Sequence, residues 1–351
     1  MTLLLCGAVL LAWLPAVAAA LFHPVKRVVV SGGTHGNEYT GVYVIERLAH
    51  RTAELAARYP SLAIETMLAN PLSHERNRRF VDEDLNRMFT LERLSDASLG
   101  GHEPSRARAI AADLGPKGAW RGEPGDGQAA DLCIDMHTTT ANMGCTIIVD
   151  SWCKFGLRAA AYAATKWEAA CKAAGVSIDR FPYRVLCDEV QQEESTYLCT
   201  AGRHGLMIEV GPVAQGLVRA DCVAATELAL GLILDYAELC NQRKPPPLPP
   251  TLRAFVDLGK LPWPSGEGCL PGAIVHPALQ DADWVPITTG HPLFVALDGT
   301  VIAYDGSFGE EVVPVFINEA AYYYAQSGPG IGIATPRDLP LEPEPLLGLD
   351  E

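Results

Sequence analysis

Apolar residues alternate between short and long runs from Val25 onward. Residues 26–30 end in three valines and predict a buried strand that leads into a turn at 31–33. Apolar positions then recur every three or four residues and predict a helix over residues 40–58. Strands that alternate with helices are typical of βα units around a mostly parallel or mixed sheet.

The same alternation predicts further elements as far as residue 239. Strands are predicted at residues 64–68, 132–136, 146–149, 183–186 and 206–210. Alanine-rich helices are predicted near residues 157–174 and 223–239. The proline-rich run at 244–250 cannot continue a helix. It predicts an extended linker and a domain boundary, although a long loop would fit the run as well.

Short strands separated by Gly, Pro and Asp dominate beyond this run. They are predicted at residues 274–275, 293–297, 301–304 and 312–317, and a helix is predicted at 319–325. We therefore predict an α/β fold of the α/β/α type, with the larger domain at 25–243 and a smaller β domain at 251–326. The Pro- and Glu-rich residues 327–351 predict a loose tail.

The N-terminal residues 1–24 form an apolar segment without a basic start, with small residues at 18–20. A signal peptide or membrane anchor fits this segment, and so does a disordered extension. Ten cysteines without a Cys-x-x-Cys pair favour free thiols in a reducing compartment, so we predict a cytoplasmic protein. A functional signal or anchor would instead direct the chain to the secretory pathway or a membrane.

The charge balance narrows the range of partners. Lys and Arg number 27 against 42 Asp and Glu, which gives a net charge of −15. A surface this acidic repels nucleic-acid phosphates and anionic lipid headgroups. We therefore expect no nucleic-acid partner, and a membrane partner only through the N-terminal segment.

Two predicted strands are followed by residues that suit a metal. His35 and Glu38 are three residues apart, which places both on one side of a single turn, as two ligands of one Zn²⁺ require. A capped helix start with a solvated Glu38 is the alternative. His137 follows another strand and supplies a third ligand, and Asp135 lies near enough in sequence to orient a ligand or to cap the following turn.

Glu209 interrupts an apolar strand, which is unusual because burial of an unpaired carboxylate costs several kcal/mol and raises its pKa. These properties suit a general base, although a buried Glu paired with an Arg is the alternative. Asn86 and Arg87 combine an amide with a guanidinium fork that can bind a carboxylate, and Arg79 can stabilise an oxyanion. A solvated loop of mixed charges is the alternative there.

Together these motifs resemble the aspartoacylase and aminoacylase-3 group of zinc-dependent amidohydrolases, which are relatives of the zinc carboxypeptidases. The resemblance covers residues 25–325 in the motif order of the family. The matching segments are GGTHGNE at 32–38, DEDLNR at 82–87, DMHTTTANMGCT at 135–146, IEVGPVAQGLVRAD at 208–221, HPALQDADW at 276–284, PLFVALDG at 292–299 and PVFINEAAYYY at 314–324. The resemblance implies a zinc carboxypeptidase-like catalytic domain with a smaller C-terminal β domain.

The resemblance also implies roles for eight side chains, if each matches its position in the family. One Zn²⁺ per subunit would be bound by His35, Glu38 and His137. Glu209 would be the general base, and Arg79 would polarise the scissile carbonyl. The substrate's α-carboxylate would be bound by Asn86 and Arg87, and Tyr322 would close the pocket.

One position departs from aspartoacylase. The arginine ten residues before the base, which binds an acidic side chain in that enzyme, is replaced by Cys199, and its companion tyrosine falls at Ser195. Tyr197 lies close by, and Arg203 would have to enter from a shifted loop. Because a neutral thiol cannot compensate a buried carboxylate, the departure argues against an acidic substrate.

The leading prediction is hydrolysis of a small N-acyl-L-amino acid to a carboxylate and a free amino acid. Aspartoacylase activity on N-acetylaspartate, desuccinylation of N-succinyl amino acids and carboxypeptidase activity are alternatives within catalysis. A zinc-binding module without catalysis is the alternative of another class. The presence of the three ligands together with the base favours an enzyme. Assembly as a homo-oligomer remains open.

Overall fold

The computed structural model describes residues 24–117, 129–264, 266, 271–323 and 327–342. Residues 24–342 belong to one compact unit. The predicted signal or anchor lies outside the described residues, apart from Pro24. None of the helices in the described part of the chain combines the length and the apolar character that a membrane span requires.

The described residues form thirteen strands and seven α-helices. The strands are β1 (Arg27–Gly32), β2 (Ala63–Leu68), β3 (Leu132–Thr138), β4 (Gly144–Asp150), β5 (Tyr183–Asp188), β6 (His204–Gly211), β7 (Thr251–Leu261), β8 (Ala273–Val275), β9 (Ile287–Thr288), β10 (Pro292–Ala296), β11 (Val301–Ala303), β12 (Glu311–Val315) and β13 (Ile331–Pro340). The helices are α1 (Tyr39–Ala49), α2 (Thr52–Arg58), α3 (Pro71–Glu75), α4 (Leu91–Ser95), α5 (His102–Leu114), α6 (Lys154–Ala174) and α7 (Ala220–Asn241). Short 3-10 helices lie at Leu85–Arg87, Leu198–Ala201 and Ala320–Tyr323.

Ten strands form one mixed sheet in the order β2-β1-β3-β6-β4-β5-β7-β13-β12-β9. Strands β1, β3 and β6 run parallel, with His137 of β3 in register with Glu209 of β6. Parallel strands end at a common edge, and in α/β sheets the carboxyl edge is where ligands bind. The register therefore places residues from three separate motifs side by side.

Helices cover both faces of the sheet, which confirms the predicted α/β/α layers. Helices α1, α6 and α7 pack side by side on one face. Helix α5 covers the other face, where Ile110 and Leu114 lie in a buried cluster with Leu198 and Phe89. Strand β3 is buried at every position, as a strand between two helical layers must be.

The strands after the proline-rich run extend the same sheet. Strand β7 begins directly after the run and pairs parallel with β5. Strands β13, β12 and β9 continue the sheet, and β8, β10 and β11 form a second, three-stranded sheet. A separate apolar cluster that includes Phe294, Tyr304 and Ile333 lies between these strands.

Two predictions of local structure are wrong. Residues 327–351 are not a loose tail throughout, because β13 pairs along its whole length with β7 and buries Ile331 and Ile333. The Pro and Glu content of this segment concealed these apolar positions. The helix predicted over 40–58 is two helices, since Arg51 lies outside helical geometry, with φ −118° and ψ 23°.

Candidate active site

The eight side chains singled out in the sequence line one pocket at the carboxyl edge of the sheet. They are His35, Glu38, Arg79, Asn86, Arg87, His137, Glu209 and Tyr322. The loop between β1 and α1 supplies the first two, and a loop of residues 79–89, here called the arginine loop, supplies three more. A Cβ atom on Gly36 would lie 2.2 Å from the backbone of Ser73, so glycine alone allows the first loop to pack against α3.

Two imidazoles and a carboxylate converge in the pocket. Nδ1 of His35 lies 2.6 Å from Oε1 of Glu38, and Nδ1 of His137 lies 3.0 Å from Oε2 of the same carboxylate. The two Nδ1 atoms are 3.2 Å apart. Ligands of a tetrahedral Zn²⁺ lie roughly 3.3 Å from one another, given metal–ligand bonds of about 2.0 to 2.1 Å. The donor types and their spacing therefore fit a metal ion.

Each imidazole is oriented by a buried aspartate on its other nitrogen. Nε2 of His35 lies 3.0 Å from Asp84, and Nε2 of His137 lies 2.7 Å from Asp135. Asp135 also accepts hydrogen bonds from the hydroxyls of Ser31 and Thr34. Pairs of this kind hold both Nδ1 atoms towards the common centre, as metal-binding histidines require.

The electrostatics of the centre suit a bound cation. Burial alone would raise the pKa of Glu38, but the charges of His35 and then His137 lower it far below its ordinary value. Burial lowers the pKa of His137, but Asp135 and then Glu38 raise it well above the ordinary value. Without a metal the carboxylates therefore keep positive charge on an imidazole, and a bound metal would supply that charge instead.

Glu209 lies beside this centre without a balancing partner of its own. Its side chain is buried, and Oε1 has no hydrogen-bond partner among the described residues. Burial, and then the negative charge of Glu38, raise the pKa of Glu209 well above its ordinary value. The Arg partner that would make Glu209 purely structural is not its hydrogen-bond partner, because Arg79 donates to Glu38 at 3.1 Å and to Asp84 at 3.0 Å.

The arginine loop presents two cationic side chains and an amide to the pocket. Asp84 accepts from the backbone N–H of Asn86 and from Arg79, which fixes the start of the 3-10 helix. The side-chain oxygen of Asn86 accepts from the N–H of Leu198 at 2.8 Å, so its amide group is held in one orientation. Arg87 is anchored through the carbonyl oxygens of Asn86 and Ser327.

Tyr322 also lines the pocket, and a lysine that was not predicted lies against its ring. Nζ of Lys260 is 3.2 Å from the centre of that ring and donates to the carbonyl of Gly328. Burial, and then the charges of Arg87 and Arg79, lower the pKa of Lys260 to about 7. Because Lys260 belongs to β7, the sequence could have signalled it only if that strand had been predicted.

Three acidic residues also line the pocket without having been predicted. Glu319 accepts from the hydroxyl of Thr139 and from the backbone N–H of Thr140, and so fastens the Tyr322 segment to the loop after His137. Asp188 ends β5 and Asp257 lies on the neighbouring strand β7, so both are separate from the donor triad, the name used here for His35, Glu38 and His137.

The positions that replace aspartoacylase's acidic-side-chain site lie away from the pocket lining. Cys199 is buried in the core cluster that contains Cys133, and Ser195 is likewise buried outside the lining. Arg203 lies at the amino end of β6, 3.9 Å from Asp131, so the suggestion that it enters the pocket is wrong. Only Tyr197 of this group lines the pocket, and its hydroxyl donates to Asp188 at 2.6 Å.

Two family models match the chain in succession. Residues 24–237 match the Succinylglutamate desuccinylase/Aspartoacylase catalytic domain. Residues 250–328 match the AstE/AspA barrel-sandwich hybrid domain. The first match contains the donor triad and the arginine loop, and the second contains Lys260 and Tyr322.

Relatives at the same level of identity carry two different names. A probable aspartoacylase from Nostoc sp. is 36% identical over 299 residues, which span 85% of this chain and 93% of the relative. An N-acyl-aromatic-L-amino acid amidohydrolase (carboxylate-forming) from Homo sapiens is 36% identical over 303 residues, or 86% of this chain and 88% of the relative. The crystal structure of murine aminoacylase 3 matches with a TM-score of 0.76 at 33% identity, covering 91% of this chain and 98% of that one.

Proposed function

Because the chain belongs to the succinylglutamate desuccinylase/aspartoacylase family, we propose that it hydrolyses N-acyl-L-amino acids to a carboxylate and a free amino acid. One observation carries the proposal. A His-Glu-His donor set, a buried glutamate with an unpartnered oxygen and the side chains of the arginine loop all line a single pocket. Such a set combines an electrophile for the amide carbonyl, a base for the attacking water and groups that can bind the α-carboxylate of an N-acyl amino acid.

The metal is proposed to be one Zn²⁺, held by His35, Glu38 and His137. Two imidazole nitrogens with one carboxylate form a donor set that catalytic zinc enzymes use. Zn²⁺ in such a site lowers the pKa of a water towards about 7 and polarises a carbonyl oxygen. Asp84 and Asp135 would orient the two imidazoles for it, since each already binds the outer ring nitrogen.

Glu209 is proposed as the general base that takes a proton from the attacking water and later gives it to the leaving amine. Burial and the nearby Glu38 raise its pKa, so the carboxyl group can accept a proton and keep it until the amine leaves. Its unpartnered Oε1 supports this role, because an oxygen already bonded to the protein would be less available to water.

The arginine loop is proposed to bind the substrate at two places. Arg79 stabilises the negative charge that develops on the amide carbonyl oxygen. Asn86 and Arg87 bind the α-carboxylate, for which a guanidinium fork is well shaped. Tyr322 closes the pocket over the bound amino acid. The buried positions of Arg79 and Asn86 and the partly buried position of Arg87 support these roles, because a charge in a low-dielectric pocket interacts more strongly than one in water.

The side-chain preference is proposed to be for neutral, apolar or aromatic residues. Ile148, Leu186, Met207 and Phe316 give the pocket apolar walls, and Asp188 would repel an acidic side chain. N-acetylaspartate is a second candidate, and Lys260 is the observation that favours it. With a pKa of about 7, however, Lys260 carries only part of a charge at neutral pH.

Turnover of a substrate panel tests both candidates. The purified chain is loaded with Zn²⁺ and assayed on N-acetyl amino acids with acidic, aromatic and aliphatic side chains, with the Glu209→Gln variant as the blank. Faster turnover of aromatic or aliphatic substrates is expected. Preference for N-acetylaspartate would replace the first candidate by the second. Absence of turnover above the blank on every substrate would contradict the proposed function.

A further inference from the structure

Two buried charged side chains outside the pocket hold the arginine loop near its two ends. Glu103 lies in the first turn of α5, and Lys117 follows the end of that helix by three residues. Both are buried, with exposed fractions of 0% and 5%. Neither is among the residues that line the pocket, and the proposed hydrolysis uses neither.

Glu103 binds three consecutive backbone amides of the loop. Its Oε1 accepts from the N–H of Val81 at 2.7 Å, and its Oε2 accepts from Asp82 at 2.9 Å and Glu83 at 3.2 Å. Hydrogen bonds to an ionised acceptor are about twice as strong as neutral ones. The turn that leads into Asp84 is therefore fixed by a carboxylate from a helix on the other side of the loop.

Lys117 binds the end of the arginine loop at Phe89 and, at the same time, a second segment that comprises residues 195–200. Its Nζ donates to the carbonyl of Phe89 at 2.5 Å, to the carbonyl of Ser195 at 2.6 Å and to the hydroxyl of Thr200 at 2.7 Å. Three acceptors use all the protons that an ammonium group can donate. Burial lowers the pKa of Lys117 to about 8, so the group is still mostly protonated at pH 7.

The second segment is the one that orients Asn86. The N–H of Leu198 donates to the side-chain oxygen of Asn86 at 2.8 Å, and the N–H of Phe89 donates to the carbonyl of Thr196 at 3.3 Å. Lys117 therefore sets the distance between the backbone that carries Asn86 and Arg87 and the backbone that orients the Asn86 amide.

We propose that Glu103 and Lys117 are positioning residues that hold the arginine loop in the geometry in which Asn86 and Arg87 bind the α-carboxylate of the substrate. The inference rests on the proposed function. Burial of a charge costs several kcal/mol, and a well-packed apolar side chain in its place would often stabilise a core to the same extent or more. Charges are suited instead to fixing polar backbone groups in a defined position, which is what a loop with binding residues needs.

The kinetic test compares Lys117→Met and Glu103→Gln with a matched control. The control is Glu238→Gln, because Glu238 is also buried and also accepts from a backbone N–H, that of Ser61, but lies on α7. Both loop variants are expected to raise KM at least tenfold. The fall in kcat is expected to be smaller for Lys117→Met than for Glu103→Gln, because the contacts of Lys117 lie nearest to Asn86 and Arg87. The control is expected to lose stability and to keep its KM.

A second background separates positioning from general destabilisation. In the combined variant Asn86→Ala/Arg87→Met both side-chain contacts to the carboxylate are already lost, so adding Lys117→Met is expected to raise KM by less than twofold further. If Lys117→Met alone leaves KM within twofold of wild type, the inference is wrong. It is equally wrong if Lys117→Met raises KM in the Asn86→Ala/Arg87→Met background by the same factor as in the wild-type enzyme.

Hydrogen exchange tests the same inference without turnover. Amides of residues 81–91 are expected to exchange faster in Lys117→Met and Glu103→Gln, and to exchange at the wild-type rate in Glu238→Gln. If the wild-type enzyme turns over no N-acyl amino acid, the proposed function fails, and exchange alone decides about the loop. Unchanged exchange over residues 81–91 would then overturn the positioning role.

Discussion

Glu209 has a buried carboxyl group whose charged form is disfavoured by burial and by Glu38. Replacing it by Gln keeps the size of the side chain and removes the proton acceptor. We expect kcat to fall about 1,000-fold or more, in line with the contribution of general bases. Steady-state assay of the Zn²⁺-loaded variant on the best panel substrate measures the change.

Metal content provides the control for this prediction. Glu209 is not one of the three converging donors, so Glu209→Gln is expected to keep the wild-type metal content by elemental analysis. A variant that retains both its metal and a near-normal kcat would remove Glu209 from the mechanism.

Arg87 gives a second prediction for a single residue. Arg87→Met removes the guanidinium but keeps much of the apolar stem, so a bound α-carboxylate loses its charged partner. Hydrogen bonds to charged groups contribute about 1.5 to 3 kcal/mol, so we expect KM to rise about 10- to 100-fold. The control is Arg93→Met, since Arg93 pairs with Glu83 in a half-exposed position. Equal KM values for Arg93→Met and Arg87→Met would contradict the assigned role.

The sequence predicted the residues that would bind the metal or the substrate better than the residues that orient those side chains. His35, Glu38 and His137 followed strand ends, which is a local pattern that parallel strands turn into spatial proximity. Asp84 lies in the stretch for which a solvated loop of mixed charges was the alternative, although it is fully buried between His35 and Arg79. Its role depends on contacts across 49 residues of sequence, which spacing along the chain does not reveal.

At the level of elements, strong apolar periods were predicted and weak ones were missed. Helices α6 and α7 lie where alanine-rich periods predicted them. Helix α5 was not predicted, because charged and small residues interrupt the spacing of its apolar residues. Only the fold shows that Ile110 and Leu114 face the core. Strand β7 was not predicted either, although it pairs with β5 and continues the sheet beyond the proline-rich run.

Strand β13 allows the importance of the continued sheet to be tested. Truncation after Gly330 removes this strand, which takes away the partner that β7 and β12 share and uncovers the core around Leu261. We expect the truncated chain to lose its cooperative thermal transition and its activity, since backbone groups without hydrogen-bond partners and the loss of apolar burial both destabilise the fold. Circular dichroism during heating measures the transition.

A shorter truncation serves as the control for this experiment. Ending the chain after Glu342 removes only residues beyond β13 and is expected to leave the transition close to that of the full chain. If the chain that ends at Gly330 melts like the one that ends at Glu342, β13 does not stabilise the sheet.

For the whole molecule, composition predicted a folded acidic protein but not where its acids lie. Several of the 42 Asp and Glu residues are buried, and burial raises the pKa of Asp150 to about 6 and that of Asp283 to about 7. The sequence marks such residues only as acidic. Their effect on stability depends on the sheet and loops that cover them, so the response of the fold to pH could be inferred only from the structure.

Asp150 makes this response measurable. Its pKa is about 6 in the folded chain against an ordinary 3.8, so the native state binds the proton more tightly than the unfolded state. The free energy of unfolding contributed by this group therefore falls as pH rises from about 4 to 6, by up to about 3 kcal/mol. Asp150→Asn has no charge to bury, and its amide oxygen can still accept from the indole N–H of Trp152. Urea unfolding is expected to show that the variant gains stability over wild type at pH 7 and loses roughly two thirds of that gain at pH 4.5. An equal difference at both pH values would mean that Asp150 is not a buried, titrating group.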